Sequence, residues 1–281
     1  MKIGVVTDCL KLPLEQALLT ARRLGIDGVQ IYATTGIFNP EELTSERKEF
    51  YRTLLKENGL EISALCGDMG GYGFEIEADN AIRIRKTKRI LDLAQEFGTS
   101  IVTTHIGVIP TDTENPRFSV MLKAMNECGR YAYAKGMTLA IETGPEMANT
   151  LKKFLDKTDG GIGVNLDPAN FTMVTGQDAV EAVEILKDYI VHTHVKDGRK
   201  LDANLDPEAV YHAFAVGGVE ALNACKGFEE LPIGQGDVDW KRYIAALKRI
   251  GYNGYLTIER EAGENPYEDI EGAIKFIRAN L

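Results

Sequence analysis

The chain predicts an α/β fold, a single (β/α)8 barrel in which residues 1–281 form one domain. Three observations carry this. Short β-branched runs, each closed by a polar residue, alternate eight times with amphipathic helical stretches. None of these runs contains a proline, and no linker, low-complexity segment or composition break divides them. Strands separated by helical crossovers pair in parallel, and eight such units close a barrel. An open doubly wound sheet is the competing arrangement, and the even spacing of the strands favours closure.

The first strand is Lys2 to Thr7, and the helix that follows, Leu14 to Leu24, repeats apolar residues at helical spacing. Strand two, Gly28 to Tyr32, leads to a helix from about Pro40 to Asn58 that stops at Gly59, where glycine tolerates the left-handed backbone of a helix end. Strand three is Glu61 to Cys66, followed by a glycine-rich loop (67–73) and a helix from Ala78 to Phe97. Strand four is Ser100 to His105, and its helix places Phe118, Met121, Leu122, Met125 and Cys128 on one stripe. Strands five, six and seven are Thr138 to Glu142, Gly163 to Asp167 and Ile190 to His194, with helices at 148–156 and 178–187. An excursion from Val195 to Val238 enlarges the loop after strand seven and precedes a helix at 239–250. Strand eight is Gly254 to Glu259, and the closing helix carries Ile270, Ala273, Ile274 and Ile277.

Composition narrows the function classes. The chain carries 32 basic and 42 acidic residues, a formal net charge of −10. A nucleic-acid partner calls for a basic face, and no such cluster is present. No window approaches the roughly twenty apolar residues that span a bilayer, so no membrane partner is expected. The opening MKIGVVTDCL enters a strand directly, without a charged leader and apolar stretch. Cys9, Cys66, Cys128 and Cys225 are scattered, with no paired spacing, which together with that opening predicts a reduced, cytoplasmic chain.

A barrel of this kind places chemistry at the carboxyl ends of its strands. Those ends read Asp8, Tyr32, Cys66 with Asp68, His105, Glu142, Asp167, His194 and Glu259. Side chains alternate along a strand with period two, so Glu142 shares a face with Ala140, Asp167 with Asn165, His194 with His192, and Glu259 with Thr257. With that face inward, Leu139, Ile141, Val164, Leu166, Val191, Leu256 and Ile258 meet the helices. Four strands thus deliver Glu142, Asp167, His194 and Glu259 to one mouth. Three carboxylates crowded together repel one another unless a cation neutralises them. One imidazole with three carboxylates suits one divalent ion such as Mn²⁺, the preferred expectation, or Mg²⁺ or Co²⁺.

The segments IETGPE (141–146), GVNLDPAN (163–170), VHTHVKDG (191–198), PIGQGDVDW (232–240) and LTIEREAG (256–263) resemble the xylose isomerase-like TIM-barrel superfamily. More narrowly they resemble its sugar phosphate isomerase/epimerase group, which includes the ketose 3-epimerases. The resemblance implies that Glu142, Asp167, His194 and Glu259 are metal ligands and that Glu142 and Glu259 double as catalytic acid and base. It implies a small-molecule ketose or related keto-sugar as substrate, epimerised or isomerised through an enediolate. Homo-oligomers, dimers or tetramers, are also implied, and the excursion offers a surface. Two departures bear on the substrate: the epimerases' histidine three residues after the aspartate is here Asn170, and their Gly-Glu pair with a later arginine is here Val195-Lys196-Asp197-Gly198-Arg199.

Further residues join the candidate substrate-binding set. His105 faces the mouth as a substrate-binding, proton-shuttling or plain rim residue. Lys196 offers an ammonium to a substrate oxygen or phosphate, or else pairs with Asp197. Asp8 either meets a sugar hydroxyl or caps its loop, and Asn170 replaces the missing histidine. Gly234-Gln235-Gly236, ahead of a helix, is either an anion-binding turn or simply a turn. Val210, Tyr211, Phe214, Val216, Val219, Leu222 and Phe228 give the excursion enough apolar surface to pack over the mouth or against a second subunit. The leading alternative function is a metal-dependent lyase or hydrolase of the same family, acting on a 3-keto-glycoside or polyol-derived ketone. An apurinic-site phosphodiesterase on this barrel needs more than the four histidines present and a basic surface. A non-catalytic sugar-binding barrel would not require all four ligands.

Overall fold

The computed structural model describes the backbone of residues 1–281 and every side chain except those of Val219, Leu222 and Asn223. Eight parallel strands close a TIM barrel. They are β1 (Lys2–Val6), β2 (Gly28–Tyr32), β3 (Glu61–Cys66), β4 (Ile101–Thr104), β5 (Thr138–Glu142), β6 (Ile162–Leu166), β7 (Ile190–Val195) and β10 (Tyr255–Ile258). Each pairs with its neighbours in sequence order, and β1 closes the ring on β10 with Lys2 opposite Tyr255 and Val5 opposite Ile258. Two register shifts, at Val29/Gln30 between β2 and β3 and at Val164/Asn165 between β6 and β7, fall beside inward polar residues.

The helices are α1 (Leu14–Leu24), α2 (Ser45–Glu57), α3 (Glu77–Glu96), α4 (Pro116–Ala134), α5 (Ala148–Leu155), α6 (Ala179–Leu186), α7 (Pro207–Ala224, inside the excursion), α8 (Trp240–Arg249) and α9 (Pro266–Asn280). Side chains cap several of them: Thr44 accepts from the Arg47 N–H, Asn115 from Arg117, Asp178 from Val180 and Asp239 from Arg242. The Thr44 cap explains why α2 starts five residues later than the sequence pattern suggests. Pro40 to Leu43 form a turn instead, which the chain enters from a short 3₁₀ segment at Gly36–Phe38.

The main core lies between the barrel and its helices. Leu139, Ile141, Val164, Leu166, Leu256 and Ile258 are buried there as the alternation requires, whereas Val191 is only half-buried. Phe118 of α4 and Phe154 of α5 meet edge to face, their centroids 5.3 Å apart. The barrel interior is polar instead. Gln30 donates to Thr103 at 3.3 Å, Thr257 and His192 Nε2 are 3.0 Å apart, and His192 Nδ1 lies 2.9 Å from Asn165 Oδ1.

The excursion has its own architecture. β8 (Asp197–Lys200) and β9 (Phe228–Leu231) form an antiparallel ribbon, and α7 (Pro207–Ala224) crosses between them. α7 bends at Gly218, whose φ of 62° and ψ of −153° are not helical. A six-residue π-helical turn, Asn170–Thr175, follows β6 and packs Ala169, Met173 and Val174 against Tyr211 and Phe228 as a second, smaller apolar cluster. Of the excursion residues read as apolar cover, Val210 is buried, Val216 is exposed, and the Val219 and Leu222 side chains lie outside the described residues. Arg117 fastens this cap to the barrel by bridging Glu75 (3.2 Å) and Glu208 (2.8 Å). Among the described residues no disulfide forms, and no helix is long and apolar enough to cross a membrane.

Truncating the fully buried Phe154 removes its edge contact and leaves a cavity between α4 and α5. Phe154→Ala is expected to cost ~3–5 kcal/mol, read as a lower urea midpoint at unchanged slope.

Candidate active site and metal centre

The carboxyl ends of β5, β6, β7 and β10 bring Glu142, Asp167, His194 and Glu259 together. One ligating atom from each lies within 4.8 Å of all the others. His194 Nδ1 sits 3.3 Å from Glu142 Oε1, 3.6 Å from Asp167 Oδ2 and 3.3 Å from Glu259 Oε2. All four residues are buried.

Two atoms at the centre, Asp167 Oδ2 and His194 Nδ1, are buried without any hydrogen-bond partner. The outward-facing atoms are satisfied. Asp167 Oδ1 accepts from the Ala169 and Asn170 N–H groups at 2.8 and 3.0 Å. His194 Nε2 lies 3.1 Å from Gln30 Oε1 and 3.1 Å from Asn165 Nδ2; with a cation on Nδ1, Nε2 keeps its proton and gives it to the Gln30 oxygen. Asn165 then gives its amide hydrogen to Glu142 Oε2 at 3.3 Å, while its Oδ1 accepts from His192 Nδ1–H. A buried orphan lone pair and an orphan carboxylate oxygen aimed at one point, with two further carboxylates around it, fit a divalent cation.

Electrostatics agree. Burial alone would push the His194 imidazole down, but the Glu259 and Glu142 charges outweigh it and hold the metal-free group well above the ordinary histidine range. Burial likewise opposes ionisation of Glu259, yet Lys196 and His194 hold it well below the carboxylate range. Without a cation the cluster therefore takes up a proton to balance its negative charge.

Above the cluster opens a cavity of about 330 Å³, lined by Glu142, Glu259, His105, Lys196 and Asn170 on the barrel side and by Tyr211 and Phe214 of the cap. His105 Nδ1 lies 3.1 Å from Asp68 Oδ2. Burial depresses the imidazole, but Glu142 and Asp68 overcome it and raise its pKa to about 10. Lys196 reaches Glu259 at 3.0 Å, Glu230 at 3.8 Å and, closer still, Glu261. Asn170 donates to the Thr143 carbonyl at 2.9 Å, which locks its amide at the cavity wall.

Asp8 lies outside the lining of this cavity, exposed in a 3₁₀ turn (Thr7–Leu10) where it accepts from Thr7 Oγ1 at 3.1 Å, and it lines an adjoining pocket that shares Tyr32 with the cavity. One sequence alternative needs correction. Lys196, between β7 and the ribbon that follows, does not pair with Asp197: its ammonium goes to Glu259 and Glu261. The Asp197 carboxylate instead faces the loop before α8. Sequence reasoning placed Asp68 at the mouth but missed Gln30, Glu230, Glu261 and Glu146 as neighbours of the site. Gln30 carried a signal, a lone amide inside the apolar run GVQIY.

The family model for xylose isomerase-like TIM barrels matches residues 18–280. The inosose dehydratase of Clostridium perfringens (strain 13 / Type A) is 27% identical over 168 residues, 57% of this chain and 54% of that protein, so the match spans about half of its length. The structure of the probable 3-DHS dehydratase AsbF from Bacillus anthracis superposes with a TM-score of 0.79 at 19% identity, covering 99% of both chains. That of D-allulose 3-epimerase from Methylomonas sp. gives 0.74 at 16% identity over 100% of this chain and 98% of the other. At these identities the structural likeness speaks for the fold alone.

Two measurements probe the site. Gln30→Leu removes the acceptor that orients His194, and a chelator-competition titration is expected to show metal affinity falling ~10–100-fold with the circular dichroism spectrum unchanged. Glu146, buried behind the site, is pushed up by burial to about 7 from 4.5, against its own backbone N–H and His105. The folded chain thus holds a proton there that the unfolded chain has released, so the wild type loses stability as pH rises through that window. Glu146→Gln is expected to match it near pH 4.5 and to exceed it by ~2–3 kcal/mol at pH 8 in paired denaturation curves.

Proposed function

The chain belongs to the xylose isomerase-like TIM-barrel family, and from that premise we propose a divalent-metal-dependent isomerase or epimerase acting on a keto-sugar. The observation that carries this reading is the convergence of Glu142, Asp167, His194 and Glu259 on one point, with two buried atoms there left without partners. A bound divalent ion, with Mn²⁺ preferred, supplies Lewis-acid polarisation of the substrate carbonyl. The remaining work falls to the side chains.

Glu142 and Glu259 enter from β5 and from the end of β10, with β6 and β7 between them around the barrel. Two carboxylates on different sides of one carbon suit a reaction in which one removes the proton next to the carbonyl and the other returns a proton to the opposite face. Asn165 orients Glu142 through Oε2, and Lys196 keeps Glu259 ionised. His105 and Lys196 line the cavity and can donate to substrate oxygens. The apolar cap excludes water from the enediolate.

A lyase is the second reading, favoured by the inosose dehydratase match. It starts with the same proton abstraction. The hydroxyl on the next carbon then leaves as water, taking a proton from a neighbouring acid such as Lys196, and a conjugated enone results.

Incubation in deuterated water with manganese and a panel of ketoses, inososes and 3-keto-glycosides tests the reading. Deuterium is expected at the carbon next to the carbonyl, with exchange falling ~10²–10⁴-fold in Glu142→Gln and in Glu259→Gln. An epimer among the products supports the first reading, an absorbing enone the second. Failure of every substrate to exchange would overturn both.

A further inference from the structure

We propose that the site takes an uncharged polyhydroxylated ketone and turns away phosphorylated and carboxylated ones, because the chain's own carboxylates already occupy its anion-binding elements. This rests on the metal-dependent keto-sugar reading and adds the charge class of the substrate.

The first such element is the loop before α8, after the barrel's seventh strand, where barrels of this type present backbone N–H groups to phosphate. Here Asp197 fills it from inside. Its Oδ2 accepts from the Gly234 N–H at 2.8 Å and from the Trp240 indole at 2.9 Å, and its Oδ1 accepts from Gly198 at 2.9 Å and Val238 at 3.3 Å. Asp197 is fully buried, and a Cβ on Gly236 would lie 2.1 Å from its Oδ1. A phosphate has no room beside it, and these four donors are already taken.

The second element is the cationic side chain. Lys196 is the one ammonium or guanidinium among the described residues lining the cavity, and Glu259, Glu261 and Glu230 surround it. Arg260, next along the chain from Glu259, is held by Glu230 at 2.7 Å and Asp269 at 2.8 Å. The imidazole on the same wall, His105, is likewise matched to carboxylates, Asp68 at 3.1 Å and Glu142 at 3.8 Å. Anion recognition relies on guanidinium forks or cationic groups not already paired, and each cation here already has its carboxylate.

The rim adds repulsion. Glu229 and Glu261 are both partly exposed at the cavity edge, and the cation nearest Glu229, Arg199, stands 3.8 Å away and is itself paired with Asp237 at 3.0 Å. Across the cavity Met173, Val174, Tyr211, Phe214 and Phe228 present apolar surface, suited to the C–H face of a neutral ring. Glu229 and Glu261 are therefore the residues that set the charge preference.

Matched pairs isolate the effect. D-fructose and D-fructose 6-phosphate, and an inosose against 3-dehydroshikimate, are compared in the deuterium-exchange assay with the metal-loaded protein. The neutral member of each pair is expected to react at least tenfold more efficiently. Glu229→Gln/Glu261→Gln is expected to narrow that ratio severalfold, and added salt to narrow it in the wild type. Equal or better reaction of the charged members overturns the proposal while leaving the enediolate reading intact. Should no member exchange, the enediolate reading fails instead, and inorganic phosphate decides the charge question by itself. Titrated into the protein with and without metal, millimolar phosphate is expected to leave the thermal midpoint of the chelated protein unchanged. A saturable rise that Lys196→Gln abolishes would show an open anion site and overturn the proposal.

Discussion

Three carboxylates held within a few ångströms of one imidazole, buried at the foot of the cavity, are the constraint on which the rest of this structure depends. Such a cluster is costly unless every outward-facing atom is tied down and the inward charge is balanced. The barrel interior answers the first demand. Gln30, Thr103, Asn165, His192 and Thr257 form a hydrogen-bonded polar layer beneath the cluster, where another barrel would place valine or isoleucine. The second demand is one that a cation at the point where Asp167 Oδ2 and His194 Nδ1 converge would meet.

The same constraint extends upward. Lys196 balances Glu259 from the cavity side, and its neighbour Glu230 ties it in turn to Arg260 and, through Arg260, to Asp269. This chain of buried ions links the barrel mouth to α9. The cap is joined differently: α7 rests on an apolar cluster with the π-helical turn and on the Arg117 bridge. The mouth is therefore rigid on its ionic side and held chiefly by packing on its apolar side.

Much of this was legible in the residues. Strands of four to six residues with apolar outward faces and polar final residues leave a strong period-two signal, and the strand ends then located Glu142, Asp167, His194 and Glu259. What escaped the sequence depends on partners distant along the chain. The Asp197 carboxylate goes to Gly234 and Trp240, some forty residues on, and nothing local distinguishes it from a rim aspartate. The ribbon of β8 and β9 was hidden because DGRK and FEEL are too polar and too far apart to read as paired strands. Asp8 ended a strand as the ligands do, but the chain turned into a 3₁₀ segment one residue earlier and carried its side chain away.

The pairing of β1 with β10 has a consequence for how the chain is made. At synthesis rates of roughly 5–20 residues per second, the first strand emerges from the ribosome about 10–50 s before its partner Tyr255–Ile258 exists. Throughout that interval the β1 edge stays open on one side, and Glu259 is still missing from the cluster. An unpaired edge is a template for other chains. β1 is five residues long and begins with a lysine, a short and charged edge that suits a strand obliged to wait.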